Sequence, residues 1–383
     1  MKNIIIFGST GSIGRQTLDV LRNLNNDFKV VGLTAYNNVD LLLKQCEEFL
    51  PEVVVLKDEE KRDEFNARLK SNIKVLTGDL GLQQLAREYN ADLAVIALEG
   101  ISGLMPTVEA IKSGKNIALA TKEVLVTAGK LITDLINTYN VSFLPIDSEH
   151  CAIHQCLQGN KKEDISRLIL TASGGPFRGM KTDFLKTVSV EQTLKHPNWN
   201  MGKKITVDSA TLMNKGFEVI EAKWFFNVEP EKIDVVIHPQ SIIHSMVEYK
   251  DGSIIAQMAT TDMRIPIQYA INYPRRCYIK EVKFLDFALN NTLTFEKPDV
   301  LTFRGLTLAY DALKTGGSMT AVLNAADEAA VNLFLNKKIN FLDIYKIVEE
   351  NMNKHKNIEN PTLSDIINID KEIKNKILKD YMR

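Results

Sequence analysis

Short apolar segments rich in Val, Ile and Leu alternate with longer amphipathic segments over the first 145 residues of the chain. The apolar segments lie at residues 3–7, 29–34, 53–56, 73–76, 93–98, 117–120 and 141–144. They are continuously apolar, which is typical of strands that helices cover on both faces. The pattern predicts an α/β protein that begins with a doubly wound parallel sheet.

The pattern changes near residue 146. Strand-like segments at residues 167–173, 233–238, 241–249 and 253–260 accompany one loop rich in Gly, Pro and Trp and one helix that begins near residue 212. They predict a central α+β domain with a mostly antiparallel or mixed sheet. A connector at 284–299 precedes helical patterns such as 318–335, which predict a C-terminal helical domain. The predicted parts are residues 1–146, 147–290 and 291–383.

Composition narrows the class of protein. The 383 residues are 45% hydrophobic and 25% charged, with a formal net charge of −1, so bulk charge does not favour a nucleic-acid or membrane partner. The four cysteines form no C-x-x-C motif, which favours reduced thiols. No signal-peptide pattern and no membrane-spanning run is present. We expect a soluble cytoplasmic protein.

The first strand leads into a glycine-rich turn, "GSTGSIG", which opens a helical pattern. Gly8, Gly11 and Gly14 form G-x-x-G-x-x-G, a variant of the dinucleotide-binding fingerprint. A glycine pattern alone is weak, but its place between the first strand and a helix predicts a Rossmann-like dinucleotide site.

The end of the second strand bears on the choice between NAD and NADP. The segment "TAYNN" at 34–38 has no acidic residue before Asp40, whereas NAD sites usually place an acid there to hold the ribose hydroxyls. This absence favours NADP, although the usual Arg is absent too. Asn37 and Asn38 are the predicted contacts.

Two carboxylates follow the last strand of the first part, in "PIDSEHCAIH" at 145–154. In an extended segment Asp147 and Glu149 would lie on one face, where they repel each other unless a cation or a shared proton lies between them. A solvated loop is the alternative interpretation. Glu218, on the predicted helix, would complete a three-carboxylate site suited to Mg²⁺ or Mn²⁺.

Other polar residues have a structural and a functional interpretation. Lys122 and Glu123 fall between a strand and a helix, either as surface charges or at a ligand-binding edge. Lys215 and Glu218 are spaced for an ordinary surface ion pair. Ser173 before two glycines is a candidate phosphate-binding turn.

The loop "HPNWNMG" at 196–202 carries a His and a Trp among turn-forming residues, including Asn200, and predicts a mobile lid.

Zinc is less favoured as the metal. His150 and His154 are four residues apart, and His238 and His244 are also available, but the H-E-x-x-H pattern is absent.

The motifs together resemble the 1-deoxy-D-xylulose 5-phosphate reductoisomerase family. "GSTGSIG", "KEVLVTAG", "PIDSEH", "TASGGPF", "HPNWNMG", "DSATLMNKGFEVIEA", "HPQSIIHSMVEY" and "LNAADEAAV" occur in the family's order, from residue 8 to about 331. The resemblance implies conversion of 1-deoxy-D-xylulose 5-phosphate to 2-C-methyl-D-erythritol 4-phosphate in non-mevalonate isoprenoid biosynthesis. It implies dependence on NADPH and on Mg²⁺ or Mn²⁺. It also implies a homodimer with a nucleotide domain, a catalytic domain and a helical domain.

The resemblance also implies the roles of individual residues. The implied metal ligands are Asp147, Glu149 and Glu218. The implied cofactor contacts are Thr10, Gly11, Ser12, Ile13, Tyr36, Asn37, Asn38, Thr121, Glu123 and Gly202. The implied substrate contacts are Lys122, Ser148, Glu149, Ser173, His196, Trp199, Ser209, Asn214, Lys215 and Glu218. Among these, Lys122, Glu149 and His196 are the catalytic candidates.

Two positions depart from the family's pattern. The family usually has Asn where this chain has Thr121, and often a basic residue where it has Asn37. Two other functions stay open at this point, a plain NADP-dependent dehydrogenase of another phosphorylated substrate and a non-catalytic dinucleotide sensor. The sequence does not decide between retro-aldol cleavage with re-addition and a concerted ketol shift.

Overall fold

The computed structural model describes residues 1–24, 27–199 and 201–381. The chain forms two compact units, each built from separated stretches of sequence. The first unit contains Met1–Val124, Ile132–Cys151 and Asp262–Lys283. The second contains Leu125–Leu131, Ala152–Thr261 and Phe284–Arg383. The predicted functional division at residues 146 and 290 stays a prediction.

A parallel sheet forms the first unit. Among the described residues its seven strands follow the order β4-β3-β2-β1-β5-β6-β7, and every pair is parallel. The strands are β1 Lys2–Phe7, β2 Phe28–Ala35, β3 Val53–Leu56, β4 Lys74–Thr77, β5 Leu93–Ile96, β6 Asn116–Leu119 and β7 Phe143–Pro145. The predicted doubly wound sheet is confirmed.

Helices connect these strands, and one more follows the last strand. They are α1 Ser12–Asn23, α2 Val39–Phe49, α3 Arg62–Arg68, α4 Gly78–Glu88, α5 Leu104–Lys112, α6 Glu123–Tyr139 and α7 Ser148–Cys156. Ile4, Ile6 and Leu33 point into a core shared with the buried faces of α1 and α2. Because the strands are covered by helices, their side chains are apolar without alternation, as the sequence indicated.

Residues 262–283 return to the first unit after the chain has built much of the second. Their helix, α12 Arg264–Asn272, packs against α1 and β7 and contributes Ile267 and Ile271 to the core of the sheet. No motif in the sequence indicated this return.

The second unit contains a mixed sheet, as predicted. Its described strands are β8 Ile165–Ala172, β9 Ile233–Ile237, β10 Ile243–Tyr249 and β11 Ile254–Met258, in the order β11-β10-β8-β9. β8 and β9 are parallel, and the other pairs are antiparallel.

Helices make up most of the rest of the second unit. They are α8 Thr182–Leu185, α9 Val190–Thr193, α10 Lys203–Thr211, α11 Met213–Phe226, α13 Gly305–Thr315, α14 Met319–Leu335, α15 Asp343–Lys354 and α16 Leu363–Tyr381. Leu212, in the left-handed region at φ +60°, ends α10 and allows α11 to start at the next residue. Within the described residues, no helix is both long and apolar enough to cross a bilayer.

A buried charged cluster joins α10 to α14. Lys204 Nζ lies 2.5 Å from Asp208 Oδ2 and 3.0 Å from Asp327 Oδ2, and both carboxylates are almost fully buried. Burial and the Asp327 carboxylate raise the pKa of Asp208 and Lys204 opposes them, with a net value of about 8. Burial also raises the pKa of Asp327. The folded state therefore favours a proton on this pair of carboxylates.

This cluster predicts a pH dependence of stability. An acid whose pKa is raised by folding stabilises the fold fully below its unfolded pKa of about 4, and that stabilisation is lost as the pH rises through about 8. Asp327→Asn removes one of the competing charges. Between about pH 5 and about pH 9 the melting temperature of the wild type should fall. We expect that of Asp327→Asn to fall by a few degrees less.

Thermal unfolding followed by circular dichroism measures this difference. Asp183→Asn is the control, since Asp183 is an exposed carboxylate paired with Lys186. Parallel loss of stability in wild type and Asp327→Asn over this pH range would show that the two carboxylates do not compete.

Candidate active site

The glycine-rich turn between β1 and α1 leaves the start of a helix open. Gly8 has φ +85°, and a Cβ there would lie 2.2 Å from the carbonyl oxygen of Ala97, so only glycine fits. α1 starts after Gly11 with no side-chain cap. Thr10, Gly11, Ser12 and Ile13 are exposed or half-buried, which leaves the first N–H groups of α1 accessible to an anion.

The predicted adenosine contacts follow β2 at the same edge of the sheet. Tyr36, Asn37 and Asn38 are exposed. The side chain of Asn38 also caps α2, since its Oδ1 accepts a hydrogen bond from the backbone of Leu41 at 3.1 Å. The side-chain oxygen of Asn38 therefore already accepts a hydrogen bond within the protein.

Thr121, Lys122 and Glu123 connect β6 to α6. The Thr121 hydroxyl donates to the carbonyl oxygen of Leu98 at 2.7 Å, which ties the end of β6 to the segment after β5. Glu123 is the first residue of α6 and is buried. Lys122 is buried too, and its Nζ lies 2.8 Å from Asp147 Oδ2. The interpretation of Lys122 and Glu123 as surface charges is wrong.

Asp147 and Glu149 lie at the start of a helix, and the prediction of an extended segment is wrong. Asp147 immediately precedes α7, and its carbonyl oxygen accepts the N–H of Cys151 at 2.8 Å. Glu149 is in the first turn, where Ser148 Oγ donates to its Oε2 at 2.6 Å. Carboxylate oxygens of Asp147 and Glu149 nevertheless lie within 4.8 Å of each other. The helix N-terminus stabilises both negative charges, which the extended alternative would not.

Asp147 stays ionised over the whole physiological range. Burial raises the pKa of Asp147, but the Lys122 ammonium and His150 lower it more, so that the net shift is well below its ordinary value. His150 is fully buried, with Nδ1 3.4 Å from Asp147 Oδ2. A permanently charged carboxylate beside a second one provides hard oxygen donors for a divalent cation.

In the second unit, Ser173 and His196 form a hydrogen-bonded pair. Ser173 Oγ and His196 Nε2 are 2.9 Å apart. His196 Nδ1 accepts the backbone N–H groups of Asn198 at 3.2 Å and Trp199 at 3.0 Å. Nδ1 therefore carries no hydrogen, and the neutral ring has its proton on Nε2 and donates it to Ser173.

Ser173 Oγ thereby has a free donor. It accepts from His196 and from the backbone N–H of Gly175 at 3.2 Å, so that its own O–H remains to bind an acceptor such as a phosphate oxygen. Gly175 has φ +68°, and a Cβ there would lie 2.7 Å from the carbonyl oxygen of Ser209. The absence of a side chain at Gly175 brings the Ser173 turn against the half-buried Ser209 of α10.

The first turns of α11 carry a buried ion pair. Lys215 Nζ donates to Glu218 Oε2, and Asn214 Nδ2 donates to Glu218 Oε1 at 2.6 Å. Lys215 and Glu218 are only 4% and 1% exposed, so the interpretation as a surface pair is wrong. Desolvation of the two charges offsets much of their attraction, so a buried ion pair contributes little to stability. This pair therefore points to a function.

The 196–202 loop contacts the body of the second unit. Asn198 Nδ2 donates to the carbonyl oxygen of Pro239 at 2.6 Å and to Ser241 Oγ at 2.9 Å. Trp199 is half-buried, with its ring 6.3 Å from that of His244. Gly202 precedes α10 and is exposed. Asn200 lies outside the described residues, and the predicted closure of this loop stays a prediction.

The histidine spacings considered for zinc stay untested, although His150 takes part in a group of three possible metal ligands with two acidic residues. Among the described residues, no group of three possible metal ligands contains His150 together with His154. His238 is buried in a structural role, with Nδ1 3.0 Å from the carbonyl oxygen of Thr294 and Nε2 accepting the N–H of Ile242.

Comparison with known proteins decides the family. A family model for 1-deoxy-D-xylulose 5-phosphate reductoisomerase matches residues 4–129. Models for the C-terminal domains of the same enzyme match 143–226 and 258–376. The chain belongs to the 1-deoxy-D-xylulose 5-phosphate reductoisomerase family. The predicted family, enzyme class and reaction are thereby confirmed.

Individual relatives agree with the family model. The reductoisomerase of Thermoanaerobacter pseudethanolicus is 65% identical over 383 residues, with 100% of each chain covered. That of Clostridium acetobutylicum is 52% identical, with 97% of each covered. A structure of the Zymomonas mobilis enzyme with NADPH is 41% identical, with 99% of each chain covered and a TM-score of 0.92. A reductoisomerase structure with NADPH, fosmidomycin and magnesium is 37% identical, covers 100% of this chain and 98% of its own, and has a TM-score of 0.94.

Some supporting residues escaped the sequence analysis. Gln45 holds the glycine-rich turn, since its Nε2 donates to the carbonyl oxygen of Ser9 at 2.9 Å and its Oε1 accepts from Ser9 Oγ at 2.7 Å. His150 and His244 were considered only as metal ligands, whereas the structure places them beside Asp147 and Trp199. Gln45 belongs to none of the motifs, so spacing gave no signal for it.

The hydrogen bonds of His196 predict its tautomer and its titration. Burial lowers the pKa of His196, so that the neutral form persists below the ordinary value of about 6.5. Protonation at Nδ1 would break its bonds from Asn198 and Trp199. The stability that the neutral ring provides is therefore present above about pH 6.5 and lost as the pH falls through the folded pKa.

Long-range ¹H–¹⁵N correlation spectra of histidine-labelled protein measure both properties. We expect a protonated Nε2, an unprotonated Nδ1 and an apparent pKa below that of free histidine, with signals assigned by His196→Ala. A proton on Nδ1 in the neutral ring, or a pKa raised above the ordinary value, would contradict the assignment.

Proposed function

We propose that this chain converts 1-deoxy-D-xylulose 5-phosphate to 2-C-methyl-D-erythritol 4-phosphate with NADPH and a divalent cation, Mg²⁺ or Mn²⁺. One observation carries the proposal. The Asp147–Glu149 pair, with Lys122 beside it, stands at the same carboxyl edge of the parallel sheet as the open glycine-rich turn. A plain dehydrogenase needs the turn but has no use for a hard-cation site beside it.

The metal ligands in this proposal are Asp147, Glu149 and Glu218. Carboxylate oxygens are the donors that Mg²⁺ and Mn²⁺ prefer, and the three residues come from the starts of α7 and α11. When bound, the cation supplies Lewis acidity toward substrate oxygens and NADPH supplies the hydride. Two of the three ligands are paired with a lysine ammonium, Asp147 with Lys122 and Glu218 with Lys215.

The second unit supplies the proposed phosphate contacts. The free O–H of Ser173 and the Lys215 ammonium are donors that match a phosphate dianion. Asn214 and Ser209 stand beside them, since Asn214 shares Glu218 with Lys215 and Ser209 adjoins the Ser173 turn. Trp199 and Glu218 complete the proposed substrate contacts of this unit.

The substrate's carbon chain is assigned to Lys122, Ser148, Glu149 and His196. Lys122 has a buried ammonium next to an ionised carboxylate, which keeps a proton available at Nζ. Glu149 accepts a hydrogen bond from Ser148 and is the candidate proton acceptor. His196 is neutral and its single N–H donates to Ser173, so it would meet the substrate beside that serine and not as a charged group.

All of the NADPH contacts proposed here except Gly202 belong to the first unit. The start of α1 would bind the pyrophosphate through Thr10, Gly11, Ser12 and Ile13. Residues 36–38 would meet the adenosine end. Thr121, Glu123 and Gly202 would contact the remainder of the cofactor.

A homodimer and a cytoplasmic location also belong to this proposal. β11 lies at the edge of the mixed sheet, and its Ile254 and Ile255 are 50% and 41% exposed. An exposed apolar edge strand is prone to pair with another chain, so a partner that covers it prevents aggregation. Phe284, Phe287 and Leu289 of the connector are exposed as well.

The carboxylates give the sharpest test of the metal site. Asp147→Asn, Glu149→Gln and Glu218→Gln each replace a charged ligand by a neutral one of nearly the same shape. We expect each to lower metal-dependent turnover by about 100-fold or more while NADPH affinity stays nearly unchanged. NADPH oxidation with the deoxyxylulose phosphate, with and without Mn²⁺, measures turnover, and cofactor fluorescence measures binding.

Glu163→Gln is the matched control, because Glu163 is exposed on a turn before β8. Retained turnover in EDTA would favour the plain dehydrogenase. NADPH binding without any substrate-dependent oxidation would favour the dinucleotide sensor. Full activity of all three variants at low metal would eliminate the proposed ligand set.

The 196–202 loop is expected to close over bound substrate. Closure would place Trp199 over the reacting carbons and exclude water from them. The chain has two tryptophans, so replacing the other one, Trp224, by Phe leaves Trp199 as the reporter. In this background, fosmidomycin with Mn²⁺ should shift Trp199 emission and protect residues 185–202 from protease. If emission and proteolysis are both unchanged at saturating fosmidomycin, the loop is static.

A further inference from the structure

Asn37 leaves the end of β2 without the cation that an NADP site requires. The segment from Thr34 to Leu43 contains no Lys or Arg, and Asp40 within it pairs with Arg68 at 2.6 Å. A 2′-phosphate carries about two negative charges, and its binding needs a cationic donor near the ribose. The segment itself therefore supplies no cation, and Arg68 is already paired with Asp40.

Lys57 is the first residue after β3 and lies next to Tyr36. β2 and β3 are parallel, with Ala35 paired to Leu56. The pairing continues beyond the strands, since the N–H of Lys57 donates to Ala35 O and that of Asp58 to Tyr36 O, both at 2.9 Å. Neighbouring residues in register project to the same face of a sheet, so Lys57 and Tyr36 share a face.

The Lys57 ammonium is held above the sheet edge by two other loops. Its Nζ donates to Ser102 Oγ at 2.8 Å, and Ser102 belongs to the turn Gly100–Gly103 that follows β5. The same Nζ lies 3.2 Å from Asp79 Oδ1 in the first turn of α4. Lys57 thus links the segments after β3, β4 and β5, which lie on both sides of the end of β2 where the adenosine is expected, although of these three strands only β3 is paired with β2.

We propose that Lys57, supported by Ser102, binds the 2′-phosphate of NADPH and gives this chain its preference for NADPH over NADH. The inference rests on the proposed use of NADPH. An ammonium has three N–H donors, and its two contacts leave one for a phosphate oxygen. Because Ser102 accepts from Lys57, its own hydroxyl proton remains for a second phosphate oxygen.

Asp79 does not prevent this role. Its side chain is 70% exposed, whereas that of Lys57 is 25% exposed, so the ion pair is screened by water on the aspartate side. A phosphate dianion that approaches Lys57 replaces a single exposed carboxylate charge, and Asp79 turns to solvent at small cost. Asp79→Asn should therefore maintain or strengthen NADPH binding.

Equilibrium binding of NADPH and NADH, followed by nicotinamide fluorescence without substrate or metal, tests the proposal. Lys57→Met keeps the aliphatic stem and removes the charge. We expect it to weaken NADPH binding between about ten- and 100-fold and to leave NADH binding nearly unchanged. Lys57→Arg should retain most of the NADPH affinity. Binding of 2′,5′-ADP and 5′-ADP should show the same contrast.

Lys29→Met is the matched control, since Lys29 at the other end of β2 also pairs with an exposed acid, Glu52, at 2.7 Å. Equal loss of NADPH and NADH affinity in Lys57→Met, or no loss of either, would overturn the assignment of Lys57 while the proposed function stands. A wild-type protein that does not prefer NADPH to NADH would overturn the cofactor proposal and this inference together.

Discussion

The parallel arrangement of the first sheet is the constraint on which the candidate site depends. All of its strands run in one direction, so every strand ends at the same edge and delivers its following residues there. Segments that are far apart in sequence, after β1, β2, β3, β6 and β7, thereby become neighbours. The glycine-rich turn, the adenosine segment, Lys57, Lys122 and Asp147 are all consequences of this one geometry.

In the second unit, backbone N–H groups determine which side-chain atoms of the candidate site carry a proton. Two N–H groups aimed at Nδ1 of His196 leave only one place for the proton of the neutral ring. That proton goes to Ser173, and the serine hydroxyl is directed outward in turn. Orientation of this kind lowers the cost of ordering a polar site when an anion binds, because no donor has to be rearranged.

The sequence was informative where one physical cause dominates. Continuous apolarity located every strand of the parallel sheet, because burial on both faces leaves no alternative composition. It misjudged the backbone at Asp147 and Glu149, since the boundary after Pro145 has no strong signal and the spacing of two was interpreted as that of a strand. It could not foresee the burial of Lys215 or the return of residues 262–283, which depend on tertiary packing. Lys57 had no local pattern at all.

The paired charges suggest how binding of metal and of substrate are linked. A buried carboxylate without a cation is strongly unfavourable, and in each unit a lysine satisfies this requirement, Lys122 at Asp147 and Lys215 at Glu218. A divalent ion on the same carboxylates would take over part of this neutralisation. The two lysines would then be available to an anionic substrate, whose negative charge would replace that of the carboxylates. The same two lysines would therefore bind an anionic substrate more strongly once the cation is bound.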